Sequence, residues 1–245
     1  MKKISILSLA ALLLMAMSCQ NAGKTATSPD LRTFGMKGDV KNVFYSVLLL
    51  ETSSEDEQGD PWLEQDELLM SFDREGRVIR DENGNTYEYD DEGNFIAGLS
   101  DKTVLTRDDK GRIVHYDNTD VDWESDDIDI YDYVNIVYTY DEKGRVATEE
   151  NTGWEWMTTY NYHYDGDNIY PSSIDYESFI EAWIEKGTIT YDYMEFDAKG
   201  NWTERIVTDK SEGYEEPWDD QEPEIEESYQ EVRQTLEIIY WEDED

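Results

Sequence analysis

The chain has 245 residues, with 20 lysines and arginines against 60 aspartates and glutamates and an apolar fraction of 38%. A net charge of −40 argues against nucleic acid as a partner, because that affinity rests on Lys and Arg neutralising phosphates, and against adhesion to anionic lipid through a basic patch. The 18 Tyr, 8 Trp and 6 Phe argue against wholesale disorder, so the expectation is a folded, strongly acidic protein of one or two domains.

Lys2 and Lys3 precede an apolar run from Ile4 to Met17, broken only by Ser5 and Ser8 and followed by Ser18 and Cys19. This layout predicts a signal peptide over 1–18. No other segment approaches the ~20 apolar residues of a membrane-spanning helix. Cys19 is the single cysteine, so no intramolecular disulfide can form. Ala16 and Ser18 before Cys19 resemble the lipobox of bacterial lipoproteins, although Ala16 stands where that family more often carries Leu. The resemblance implies that Cys19 is diacylated, becomes the first residue after cleavage and is acylated again. It also implies a membrane partner through this anchor, and a place in the cell envelope at the bacterial outer membrane, on its periplasmic or surface side. The other reading is an ordinary secreted protein with a free thiol. Loss of the leader leaves 18 bases against 60 acids, a charge of −42. Residues 19–30 read as a polar tether and 31–245 as the folded domain.

A repeat follows. Phe72-Asp73-Arg-Glu-Gly76-Arg77, Tyr89-Asp90-Asp-Glu-Gly93-Asn94, Arg107-Asp108-Asp-Lys-Gly111-Arg112, Tyr140-Asp141-Glu-Lys-Gly144-Arg145 and Phe196-Asp197-Ala-Lys-Gly200-Asn201 are close copies, and Tyr164-Asp165-Gly-Asp-Asn168 is a degenerate one. Asp at the first position of a type I turn bonds its own backbone, and Gly three residues on supplies the left-handed conformation of a G1 bulge. Aromatic and β-branched flanks supply strands. The unit is similar to the YD repeat of Rhs-type bacterial proteins over about residues 68–207. That resemblance implies β-hairpins joined edge to edge into a curling sheet, in lipid-anchored relatives of generally unknown activity. The irregular Asp-to-Asp steps of 17, 18, 33, 24 and 32 do not fit the closed shell of large toxins.

The predicted fold is all-β: a curled antiparallel meander of repeated hairpins in a single-layer or half-barrel sheet. Its roughly 14 strands lie at 40–50, 67–73, 77–80, 86–90, 94–97, 103–107, 112–116, 131–140, 145–150, 156–164, 169–180, 188–196, 201–208 and 229–241. Val134, Ile136, Tyr138 and Tyr140 share one face at period two, as do Val232, Leu236, Ile238 and Tyr240. Residues 173–187 suit either a strand or a short helix with a Ser173 N-cap and a Gly187 C-cap.

The meander puts the repeat turns at one edge and the long connections 51–66, 117–130, 151–155, 181–187 and 209–228 at the other. Trp62, Trp123, Trp154, Trp183 and Trp218 fall in those connections, three of which are densely acidic. They form a candidate binding rim, or else anchors that pin insertions to the sheet. Asp120, Asp122 and Asp126 alternate without the glycine of an EF-hand, and Asp81-x-Asn83-x-Asn85 followed by Glu92 has Thr86 where that loop needs Gly. No cofactor is expected beyond weak calcium at the first of these.

His115 and His163 are the only histidines and no nucleophile elbow accompanies them. Walker and Gly-x-Gly-x-x-Gly patterns are absent. Sixty acids guarantee carboxylate pairs at the spacing glycoside hydrolases use, which makes such pairs uninformative. The expected function is non-catalytic: a lipid-anchored envelope scaffold binding a glycan or an envelope protein. The alternatives are an enzyme acting on envelope polysaccharide and a structural spacer.

Overall fold

A computed structural model describes residues 28–53, 62–98, 102–119, 134–215 and 223–241. It begins with one helical turn, α1 (Pro29–Thr33), whose start is fixed by Pro at the first position and by Ser28, whose Oγ accepts the Leu31 N–H. Fourteen strands follow: β1 (Val40–Thr52), β2 (Trp62–Phe72), β3 (Val78–Arg80), β4 (Glu88–Tyr89), β5 (Phe95–Ala97), β6 (Val104–Arg107), β7 (Ile113–Asp117), β8 (Asn135–Tyr140), β9 (Val146–Gly153), β10 (Trp156–His163), β11 (Ser173–Ile180), β12 (Trp183–Phe196), β13 (Trp202–Glu215) and β14 (Glu226–Tyr240). The all-β antiparallel meander expected from the sequence is therefore present, and it is not closed into a barrel.

Twelve strands form one sheet in the order β3-β2-β1-β14-β13-β12-β11-β10-β9-β8-β7-β6, and β4-β5 pair separately. β14 lies between β1 and β13, with Tyr45 opposite Leu236 and Val207 opposite Val232. The first and last strands thus meet in mid-sheet, and the edges are β3 and β6. β4 stands between those edges: its Tyr89 ring lies under the Arg77 guanidinium, and its hydroxyl accepts from Arg107 at the end of β6.

Alternation decides which face is buried. Ile136 and Tyr138 on β8, Ile174 and Tyr176 on β11, and Val232 and Leu236 on β14 point into the concave face. The row on β14 is interrupted by Gln234, buried because its Oε1 accepts from Nε of Arg205, itself buried and stacked 4.3 Å from the Tyr191 ring and 4.1 Å from Trp202. Residues 28–36 fill one end of this face through Leu31, Phe34 and Met36, with Phe34 edge-on to Phe72 at 6.0 Å.

Several strands run further than the sequence predicts. Residues 173–187 are strand and not helix: β11, a two-residue turn where a connection over 181–187 was expected, and the start of β12. β13 continues to Glu215 and β2 begins at Trp62, so much of the expected connecting loop is hairpin. Exposed charges alternating with inward side chains satisfy a two-sided strand as well as they satisfy a loop.

Candidate functional site

The two ends of the sheet are built differently. At the turn end, Asp73, Asp90, Asp108, Asp141 and Asp197 each accept the N–H of Gly76, Gly93, Gly111, Gly144 or Gly200 at their carbonyl, at 2.9–3.0 Å. Each Asp N–H in turn bonds the carbonyl four residues on, and each Asp Oδ1 takes the N–H of that same residue at 2.8–2.9 Å. The five glycines have φ between +73° and +87°, a region open mainly to glycine. A further copy, Asp81-Glu-Asn-Gly84-Asn85, has the same bonds and φ +82°. The segment reads from sequence as an imperfect calcium loop, or as turn plus strand, and the structure makes it a repeat turn, its Asp-x-x-Gly-Asn pattern matching the turns at Asp90 and Asp197.

Where an arginine closes the turn, it reaches a tyrosine of the next unit. Arg112 lies 3.9 Å from the Tyr140 ring centre and Arg145 4.1 Å from that of Tyr164, while both guanidiniums stay bonded to the Asp of their own turn. The tyrosine hydroxyls return the contact, Tyr140 donating to the Ile113 carbonyl and Tyr164 to that of Val146. Burial alone would raise the Asp108 pKa, but the bonds from the Arg112 side chain and backbone outweigh it and hold Asp108 below the usual carboxylate range. The turn after Asp90 ends in Asn94, and the next unit has Arg107 in place of Tyr. Arg107 pairs instead with buried Asp30, whose Oδ2 also takes the Val78 N–H. Ser28 donates to the Gly76 carbonyl and Lys37 to that of Gly200, so residues 28–37 tie turns from distant strands together.

At the opposite end, rings rest on glycines of neighbouring strands: Trp156 on Gly153, Tyr176 on Gly187 and Trp183 on Gly213. A side chain at Gly187 would meet the Tyr176 ring at 2.5 Å. These aromatics share the concave face with Thr158, Ser178, Glu185 and Asp209. Tyr176 donates its hydroxyl towards Glu185 at 3.0 Å and Asp209 at 3.3 Å. Burial first, and Glu185 second, push the Asp209 carboxyl up to about 7. Beside them Trp154 caps the β9–β10 turn, 57% exposed, and Met157, Phe179 and Ile180 are exposed on the paired strands β10 and β11.

A second set of carboxyls lies deeper. Glu149 on β9 is buried, taking the Tyr162 hydroxyl at 2.7 Å and the Asn151 amide at 2.9 Å. Desolvation, with a smaller contribution from Asp81, raises it to about 7 against those two bonds. Asp81 and Glu82, at the tip of the β3 hairpin, complete the set.

Of the rim residues read from the sequence, Trp154 and Trp183 are brought to the same end. Trp62 opens β2 and only its backbone is described, while Trp123, Trp218, Asp120, Asp122, Asp126 and Cys19 lie outside the described residues. Trp62 and Trp183 belong to strands and not to connecting loops, because the hairpins extend to meet them. Among the described residues no three His, Cys, Asp or Glu side chains are arranged to hold a metal. His115 bonds Asn135 across β7–β8, and His163 bonds Asp175 across β10–β11. Trp156 borders one of the connections expected from the sequence, whereas Tyr176, Glu185, Asp209 and Glu149 were not expected at the site. The inward period of β9–β13 was the signal that groups them. No protein-family model matches the chain, and no curated protein matches it.

Proposed function

We propose that this is a non-catalytic, lipid-anchored cell-envelope protein, related to YD-repeat proteins, whose sheet presents a glycan-binding surface at the end remote from the anchor. The observation that carries the reading is the polarity of the sheet. Residue 28, where a tether from Cys19 would join the domain, packs against the Gly76 turn, and the rings of Trp154, Trp156 and Trp183 lie at the other end of the strands. Rings seated on backbone with carboxylates and hydroxyls beside them suit the C–H faces and hydroxyls of a sugar. A charge of −42 on the mature chain selects a neutral or amino sugar over an anionic one.

Titration calorimetry with neutral, amino and uronic-acid oligosaccharides tests the surface. Binding confined to the first two classes, weakened at least tenfold by Trp154→Ala at unchanged melting temperature, is expected. Failure of all three classes removes the glycan. The exposed pair Met157 and Phe179 supports an envelope protein as the second reading. Fatty-acid labelling of wild type, with none in Cys19→Ala, tests the anchor.

A further inference from the structure

The convex face of β9–β13 is polar over most of its length and changes character at the remote end. One line of residues in register across the five strands is Thr148, Asn161, Asp175, Thr188 and Lys210. The next, nearer the remote end, is Glu150, Thr159, Glu177, Lys186 and Glu212. The last is Thr152, Met157, Phe179, Ile184 and Tyr214. Four apolar side chains therefore stand side by side, on the opposite face from their chain neighbours Thr158, Ser178 and Glu185. Met157 and Phe179 are 42% and 37% exposed. A single exposed apolar residue is ordinary, whereas a contiguous apolar patch rimmed by polar groups marks a contact surface.

The surroundings of this line decide what can cover it. Lys186 is the one base in the adjacent charged line, and it is paired with Glu177 at 3.0 Å, which leaves the negative charge of Glu150 and Glu212 in excess. Beyond the line lie the β9–β10 and β11–β12 turns, tied to one another by the Glu181 N–H donating to the Glu155 carbonyl at 2.8 Å. Both turn glutamates are exposed. A bilayer approached end-on would receive those carboxylates before the apolar line, at a high desolvation cost. A second copy of the chain would bring like charge to like charge. An extended peptide would find no backbone to pair with, because every strand from β9 to β13 is paired on both sides. A helix satisfies its own backbone and offers an apolar stripe. Four strand spacings make the line roughly 19 Å long, the length of about 13 helical residues.

We propose that this line is the docking site for a basic amphipathic helix of another protein, its apolar stripe laid across β9–β13 and its flanking lysines or arginines meeting Glu150, Glu212 and the turn carboxylates. The inference names a partner for the second reading above. It is separate from the sugar-binding reading, since the two use opposite faces of the same strands.

Fluorescence anisotropy of labelled helical peptides of about 18 residues with the full chain, at near-physiological ionic strength, tests it. One peptide carries a leucine stripe flanked by lysines, a second has the same composition scrambled to remove the stripe, and a third has the stripe with glutamate for lysine. The first is expected to bind at least tenfold tighter than either of the others. Met157→Thr with Phe179→Thr, which keeps strand propensity, is expected to weaken it at least tenfold at unchanged melting temperature, and so is Glu150→Lys with Glu212→Lys. No binding of the first peptide, equal binding of the scrambled or glutamate peptide, or binding unchanged in either double variant overturns the proposal. Co-sedimentation with zwitterionic vesicles that the Thr variant abolishes also overturns it, making the line a membrane contact. Oligosaccharide binding is expected to be the same in wild type and both variants, so loss of one reading leaves the other standing.

Discussion

The turn end and the remote end of this sheet are made by the same strands and are stabilised in opposite ways. At the turn end each turn aspartate has a fixed partner: Asp caps its own turn, Arg112 and Arg145 join that Asp to the next Tyr, and residues 28–37 cross-link the turns. At the remote end rings lie on glycines and carboxyls crowd together with raised pKa values. The contrast teaches that an acidic chain keeps its few cations where they organise backbone, and leaves the acids that lack a cation to the region free to meet a ligand.

The largest test of that contrast is Phe34→Ala. Phe34 is wholly buried and seats the cross-linking segment, so its loss is expected to cost ~3–5 kcal/mol as a core truncation, read by chemical denaturation. A cost near zero would show that the turns hold without the segment. Next is Gly144→Val against Lys143→Val. Gly144 has φ +82°, and forcing a β-branched residue there is expected to cost ~1–3 kcal/mol, while the exposed Lys143 position tolerates the change. Equal melting temperatures would contradict the turn geometry.

Acid and alkali separate the two kinds of carboxyl. Asp108, Asp141 and Asp197 are held low in the folded state by their turn bonds, so the stability they contribute is present above the ordinary Asp pKa and is lost as pH falls through their folded values. Glu149 and Asp209 are raised to about 7. Their contribution is full below the ordinary carboxylate range and is lost as pH rises through about 7. The melting temperature is therefore expected to peak between these limits, with Asp209→Asn reducing the alkaline decline and leaving the acid one. Parallel changes in both arms would refute the division. Arg112→Lys keeps the charge and loses the flat contact with Tyr140. It is expected to cost ~0.5–1 kcal/mol, and Trp154→Ala, at an exposed ring, less than ~0.5.

Much of the turn end was legible in the sequence because its chemistry is local. An Asp and a Gly three residues apart specify a turn wherever they lie, and five of the six full copies were read from that spacing. The purpose of Tyr and Arg in the unit was not legible, since Arg112 meets Tyr140 across 28 positions of chain. At the remote end the charge of Lys210, Glu212 and Glu215 suggested a loop, and only the pairing of β12 with β13 shows these residues on an extended hairpin. Glu149 stands in the run Thr-Glu-Glu-Asn, which in isolation looks solvated. Its burial depends on β8 and β10 flanking it and on the Asp81 hairpin above, none of which local pattern records.

The position of β14 sets the order in which the molecule can be assembled. Among the described residues, β1–β3 and the meander β6–β13 have no strand pairing with one another except through β14, which is nearly two hundred residues after β1. During synthesis the two parts wait as separate sheets, each with an exposed edge, until the final strand is delivered between them. Such pairing between distant segments is slow, and open edges in the interval invite association with other chains. The dense negative charge of the chain is thus also what keeps its unfinished halves apart from those of its neighbours.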